Sequence, residues 1–292
     1  MIAGMWNGAS VAIVGAGAMG SRIAARLLQS GVEVAAWNRS RDKLRPLVEV
    51  GATATATPAE AARGAEIVIT MVADPAALRT VSEGVEGIAA GSVAGQTLIE
   101  MSTVGPAAVQ RLAGRLPAGV GLLDAPVLGS LSEAESGSLT IFAGGDRDLY
   151  ERSKDLLELL GSPLYVGPLG SGAAAKLVAN YSLFGILGVL GEALALSDRL
   201  GLDHETTFSV LAASPLSAQA DKRRPALESD EHPLRFPISL AHKDAGLIMT
   251  AAEEAGLTLE IAEALEGDLA AAEAAGWGDR DYSTLVAWLR DR

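Results

Sequence analysis

Short hydrophobic runs alternate with amphipathic segments through the first half of the chain, and then the short runs stop. Val11–Val14, Val32–Trp37, Glu66–Met71, Gln96–Met101 and Leu122–Ala125 read as buried strands. Between the first two, Ser21–Gln29 has helical character and ends before Gly31, a residue suited to closing a helix. Thr57-Pro58 supplies an N-cap and first-turn pair for a helix at 58–63. Ser138–Ala143 and Pro163–Val166 read as further strands around a helix at 146–160. Strands alternating with helices predict an α/β, doubly wound sheet. Beyond residue 167 strand patterns vanish, and Leu202–Ala212, Ala241–Ala255 and Leu259–Ala275 read as helices. Pro215–Pro237, charged and carrying four prolines, reads as a partly exposed connection. The expected plan is a sheet domain over 1–167 and an all-helical domain over 168–292.

The second domain is expected to be built on one long helix within Gly167–Leu200. No formal charge occurs between Lys176 and Glu192, and apolar residues go all the way round. That run is shorter than the roughly 18 apolar residues of a membrane span. A water-soluble helix of this kind needs cover on every side, so it is expected to pack on the first domain and on another subunit, in a homodimer or homotetramer. Ser171 is a candidate cap. Lys176 and Asn180 are spaced i, i+4 and share one face. Lys176 falls near the positive end of the helix dipole with no carboxylate among its sequence neighbours. Desolvation and the dipole both disfavour its charged form, which suits a general acid or base at neutral pH. The plainer reading is a lysine snorkelling from an interface helix.

The first strand runs straight into GAGAMG, with Gly15, Gly17 and Gly20 at the G-x-G-x-x-G positions and Ala16, Ala18 and Met19 between them. Strand, glycine turn, helix and strand in that order are the context of a dinucleotide-binding Rossmann unit. Gly15 permits the tight turn, Gly17 lets a pyrophosphate approach, and Gly20 lets helix pack on strand. The second strand ends in Asn38-Arg39-Ser40. No carboxylate is present there to bind both ribose hydroxyls of NAD, whereas an arginine between two hydrogen-bonding side chains suits the 2′-phosphate of NADP. Met71, Val72 and Ala73 close the third main strand, Ser102 and Thr103 the fourth, and Val127–Ser130 follow the fifth. These carboxyl ends are where an open α/β sheet binds its ligands.

Composition narrows the picture. A net charge of −13 over 292 residues argues against nucleic acid and anionic membranes as partners. Absence of cysteine removes thiolate metal sites and cysteine nucleophiles and fits a reducing, cytoplasmic setting. The histidines His204, His232 and His242 have no metal-ligand spacing, so no metal is expected. The first ten residues lack the pattern of a signal peptide.

Taken together, these segments resemble the β-hydroxyacid dehydrogenase family, which includes 3-hydroxyisobutyrate dehydrogenase and the glyoxylate/succinic semialdehyde reductases. The similarity rests on VAIVGAGAMGSRIA near the start, MST at 101–103, DAPVLGSLSEAESGSLTIFAGG at 124–145, GSGAAAKLVAN at 170–180, HKDAGL at 242–247 and GDRDYSTL at 278–285. Imine reductases share the two-domain plan. The resemblance implies Lys176 as proton donor to the carbonyl oxygen in reduction, with Asn180 holding the substrate or orienting the lysine. It also implies Lys243 near the cofactor with Asp244 orienting its surroundings, Ser102 and Thr103 near the nicotinamide, and Val127–Ser130 holding a substrate carboxylate. One departure stands out. The family's loop reads serine followed by two glycines, and here it is Leu128-Gly129-Ser130. Leucine donates no hydrogen bond, which costs about 1.5–3 kcal/mol toward a charged group. Three readings follow: a nest of Gly129 and Ser130 N–H groups, with Ser130 substituting; a more apolar substrate; or a neutral variant with leucine in the core. The expected activity is NADPH-dependent reduction of a small aldehyde or ketone. An imine reductase and a non-catalytic NADP(H)-binding protein are the alternatives.

Overall fold

The computed structural model describes residues 10–229 and 231–291. Residues 1–9, on which most of the signal-peptide reading falls, lie outside the described residues. Contacts divide the chain into Met1–Leu177 and Val178–Arg292.

The first unit is built on one sheet. Its strands are β1 (Ser10–Val14), β2 (Glu33–Trp37), β3 (Thr53–Ala54), β4 (Ile67–Thr70), β5 (Thr97–Glu100), β6 (Gly121–Asp124), β7 (Val127–Leu128), β8 (Leu139–Gly145) and β9 (Gly161–Gly167). They lie in the order β3-β2-β1-β4-β5-β6-β8-β7, with β9 paired to β8. β1 to β6 are mutually parallel, β8 runs antiparallel to β6 and β7, and β9 is parallel to β8. Both faces of the parallel part are buried. Val11, Ile13, Ile67, Ile69, Ile99 and Leu123 enter one core, while Ala12, Val14, Val68, Leu98 and Leu122 enter the other. This explains why the strands read as continuous apolar runs.

Helices cover the sheet: α1 (Ala18–Gln29), α2 (Arg45–Glu49), α3 (Pro58–Arg63), α4 (Pro75–Ser82), α5 (Ile88–Gly91), α6 (Pro106–Ala113), α7 (Leu131–Ser136) and α8 (Arg147–Glu158). Thr57 and Asp74 cap α3 and α4 through bonds to the N–H groups of Glu60 and Ala77, with proline as the first helical residue of each. The two-residue strands β3 and β7 and the four-residue α5 are too short to show a period in the sequence, and α4, α6 and α7 are additions to the elements expected.

The long helix α9 (Ser171–Arg199) starts in this unit and runs past its boundary. Its N-terminus is held by Asp124, the last residue of β6. The Asp124 carboxylate accepts from Gly170 N–H at 2.8 Å and Ala173 N–H at 2.7 Å. Ser171 is therefore the first helical residue, not the cap expected for it. Burial raises the Asp124 carboxyl above the usual range, against the hydrogen bonds from Ala173, Gly170 and neighbouring amides. Space around the anchor is tight, since a Cβ on Gly172 would lie 2.3 Å from the Phe142 carbonyl oxygen and 2.4 Å from that of Asp124.

In the second unit α9 buries one stripe, Asn180, Phe184, Leu187, Leu190 and Leu194. The other helices are α10 (His204–Ala212), α11 (Ser217–Ser229), α12 (Ile238–Glu254), α13 (Glu260–Ala272) and α14 (Leu285–Arg290). Phe208, Leu211, Ala220 and Val286 join the α9 stripe in a core. Gly188 and Gly191 let Leu265 and Leu289 approach the helix closely. Among the described residues, part of the α9 surface remains uncovered: Val178 is 67 % exposed, Leu196 61 % and Val189 53 %. By length and composition the whole helix is long and apolar enough to cross a bilayer, with 29 residues and a mean hydropathy of 1.6 over its most apolar window, although its charge-free run alone is shorter. A buried core helix passes the same test, and 44 % of its most apolar window is buried within the chain.

Pro215–Pro237 is not merely a connection, because α11 forms inside it. That helix buries only Ala220. It is held by polar contacts that sequence periodicity does not reveal: Arg224 bonds Glu205 and Glu228 and lies over Phe208, and Arg223 donates to the Tyr282 hydroxyl.

Removing the Asp124 side chain leaves two N–H groups at the start of α9 without their acceptor, each costing about 1–3 kcal/mol. Asp124→Ala is expected to lower unfolding free energy by about 2–6 kcal/mol. Asp124→Asn, which keeps one acceptor oxygen, should lose less; urea denaturation of both variants checks this.

Candidate active site

The sheet brings the predicted loops of the first unit to one edge. The G-x-G-x-x-G turn joins β1 to α1, Asn38–Ser40 follow β2, Met71–Ala73 follow β4, Ser102 and Thr103 follow β5, and Val127–Ser130 follow β6. Several of these segments are bonded to one another. Gly15 and Ala16 N–H both donate to the Trp37 carbonyl, at 2.9 and 3.3 Å. Val72 N–H donates to the Ser102 hydroxyl at 2.8 Å.

The glycine turn has the shape that a dinucleotide requires. Gly15 has φ +104°, and a Cβ there would lie 2.2 Å from the Met71 carbonyl oxygen. A Cβ on Gly20 would lie 2.1 Å from the Gly15 carbonyl oxygen. At Gly17, in contrast, a Cβ would meet nothing within 4 Å. The protein does not need glycine there for its own packing, so the open side fits a ligand lying against the backbone. Gly17 also precedes α1, whose first turn contains no acidic residue and has no side-chain cap, leaving the helix start suited to phosphate. After β2, the Asn38 amide bonds the Ser40 carbonyl at 3.0 Å, and Arg39 and Ser40 are exposed. Met19 packs against the core. These residues fit a dinucleotide.

A buried carboxyl group, Glu100, organises the loops beside the turn; sequence reading did not single it out. The Ser102 N–H donates to both its oxygens at 3.0 Å, and the Thr70 hydroxyl to one of them at 3.3 Å. Burial pushes Glu100 up to about 8, against the bonds from Ser102 and Thr70, and the adjacent Asp124 adds to the rise. Glu100 and Asp124 are register partners on β5 and β6. A glutamate closing an otherwise apolar strand, TLIE, was the available signal.

Lys176 lies on α9 at 9 % exposure, and Asn180, one turn further, is buried at 3 %. The surface-snorkelling alternative for Lys176 therefore does not describe it. In the second unit the Asn180 amide donates to the Asp244 carboxylate at 2.7 Å, and the same carboxylate pairs with Lys243. Asp244 thus ties together two of the residues named from sequence. His242, next along, bridges Glu273 at 2.6 Å and Glu266 at 3.0 Å. Burial opposes its charge, but these two carboxylates outweigh that and raise its pKa above the usual histidine value.

The loop after β6 departs from expectation. Leu128 is 36 % exposed, so it is not a core residue. The Ser130 N–H, expected to help form an anion nest, already donates to the Glu133 carboxylate at 2.8 Å. The S-x-x-E spacing of a capping box was the sequence signal for this.

The chain matches two family models end to end. Residues 10–169 match the NAD binding domain of 6-phosphogluconate dehydrogenase, and residues 170–289 the NAD-binding domain of NADP-dependent 3-hydroxyisobutyrate dehydrogenase. The chain belongs to the β-hydroxyacid dehydrogenase family. Among members of this family, glyoxylate/succinic semialdehyde reductase 2 of Arabidopsis thaliana is 31 % identical over 96 % of this chain and 79 % of its own. The structure of Mycobacterium tuberculosis 3-hydroxyisobutyrate dehydrogenase with L-serine superposes with a TM-score of 0.88 at 26 % identity, covering 97 % of this chain and 99 % of that one. An imine reductase from Myxococcus stipitatus shares the fold, with a TM-score of 0.67 at 21 % identity over 96 % and 99 % of the two chains. The β-hydroxyacid dehydrogenase relatives are oxidoreductases that act on CH–OH groups with NAD(P).

Glu100 makes stability depend on pH. Below its ordinary value of 4.5 it is protonated in both folded and unfolded chains. Between 4.5 and about 8 the unfolded chain has released the proton that the folded chain retains, so stability falls as pH rises. Glu100→Gln removes this contribution. Its melting temperature relative to the parent is expected to climb between pH 4.5 and about pH 8 and then level off, measured by calorimetry in matched buffers.

Proposed function

We propose that this protein is an NADPH-dependent reductase of small aldehydes or ketones, run reversibly as a dehydrogenase of the corresponding alcohols. The observation that carries the reading is the buried lysine. Lys176 is buried within two turns of the Asp124 anchor, and that anchor ends β6, which β4 and β5 separate from β1 and its glycine turn at the same end of the parallel sheet. Bound NADPH supplies the hydride that the carbonyl carbon accepts. Lys176 gives the proton that the carbonyl oxygen gains, and takes it back in the oxidative direction. Asn180, fixed by Asp244, presents an amide on the Lys176 face of α9 and orients the lysine or the substrate oxygen.

Preference for NADP over NAD rests on the end of β2. Arg39 and Ser40 are exposed there, no carboxylate stands in the ribose position, and an arginine suits a 2′-phosphate. Glyoxylate and succinic semialdehyde, named for the plant relative, are carbonyl compounds of the proposed class. The exposed apolar face of α9 supports a homodimer or homotetramer closed over that helix.

An imine reductase is the second reading, and exposed Leu128 favours it by offering an apolar wall. A panel with NADPH and NADH against glyoxylate, succinic semialdehyde, simple ketones and a cyclic imine separates the readings. Turnover of carbonyls with NADPH preferred is the expected result, and activity on the imine alone would reverse the assignment. Lys176→Ala should keep NADPH binding, followed by nicotinamide fluorescence, while kcat falls about 10²–10⁴-fold. Near-normal turnover in that variant would remove the lysine from the chemistry.

A further inference from the structure

The loop between β6 and α7 contains a feature that neither the glycine cradle nor the lysine explains. Leu128 presents an exposed apolar surface whose side chain donates no hydrogen bond. Gly129 follows, where an added Cβ would meet the Leu139 side chain at 2.8 Å and the Glu133 Cβ at 3.1 Å. The Glu133 carboxylate then turns back over the loop and accepts from Ser130 N–H at 2.8 Å and from the Ser132 hydroxyl at 2.9 Å. A carboxylate of the protein itself therefore occupies a backbone donor that would otherwise be offered to an anion.

Two physical effects act in the same direction. A substrate anion at this loop would have to displace an intramolecular acceptor from Ser130 N–H. It would also lie close to the negative charge of Glu133, and like charges separated by a few ångströms at a partly buried site repel strongly. An uncharged alkyl group meets neither obstacle and gains contact with Leu128.

We propose that Glu133 is a specificity-determining residue which, together with Leu128, closes this loop to carboxylates and directs the protein to aldehydes or ketones whose far end is uncharged. This rests on the reductase reading above and on Val127–Ser130 lining the substrate. It sets the chain apart from relatives whose named substrates, such as succinic semialdehyde, carry an acid.

The test compares butanal with succinic semialdehyde, which have the same chain length and differ in a methyl or a carboxylate at the far end. Wild-type kcat/KM with NADPH is expected to favour butanal by at least about tenfold. Glu133→Ala frees the Ser130 N–H and removes the charge, and should shift the acid-to-neutral ratio at least about tenfold toward the acid. Glu133→Gln removes the charge but keeps an acceptor on Ser130 N–H. It should shift the ratio by a smaller factor, and it keeps the test open if the alanine variant is poorly folded. Calorimetric titration of succinate into each protein with NADP⁺ gives a readout independent of turnover, with the variants expected to gain affinity that wild type lacks. A wild type that prefers succinic semialdehyde, or variants that leave both the ratio and succinate affinity unmoved, would overturn the proposal. Should neither aldehyde turn over while the variants gain succinate affinity, the reductase reading fails and the role of Glu133 stands. Should both aldehydes turn over with no gain of acid binding in either variant, the reverse holds.

Discussion

The arrangement of the first unit depends on the Asp124 carboxylate and the two amides it receives at the start of α9. A helix start leaves N–H groups without intrahelical partners. Here they are answered by the last residue of a sheet strand rather than by a local serine, aspartate or threonine. The consequence is geometric: the helix is fixed to β6 at its first turn, and whatever projects from its second turn has a defined position relative to the strand ends. Tight contacts at Gly144 and Gly172 leave the anchor little room to shift, since a Cβ at either would collide with Asp124 or its surroundings.

Next to this anchor stands Glu100, across one strand pairing. Burial pushes each of these two carboxyl groups above its ordinary value, and the neighbouring Asp124 adds to the rise at Glu100. They divide the work between them. Asp124 faces the helix amides, while Glu100 accepts from Ser102 and Thr70, and the Ser102 hydroxyl in turn accepts from the Val72 amide. The loops after β4 and β5 are thus held to one another by a polar chain that is largely removed from solvent, where each bond is stronger and each missing partner more costly.

Much of the first unit was legible in the sequence because its strands are buried on both faces and so read as unbroken apolar runs bounded by turns. The glycine turn was legible for a different reason: two of its glycines fill places where any side chain would strike backbone. The family followed from several such segments in order. Helix α11 was hidden because it is secured by Arg223, Arg224 and their distant partners, not by an apolar stripe. The all-round apolar surface of α9 tells how much must be hidden, not which part this chain hides. The rise at Glu100 depends on its surroundings on neighbouring strands, which a linear reading does not bring together. Glu133, by contrast, was readable from its spacing to Ser130.

The rigid coupling of Asp124 to Ala173 also restricts how this segment can change length. Each residue of an α-helix advances about 1.5 Å and turns about 100°. Inserting or deleting a single residue between Ala173 and Lys176 would swing the amine to another side of the rod while the anchor stayed in place. The side chains along this stretch can be exchanged, but their number cannot: three residues of spacing are what aim the amine.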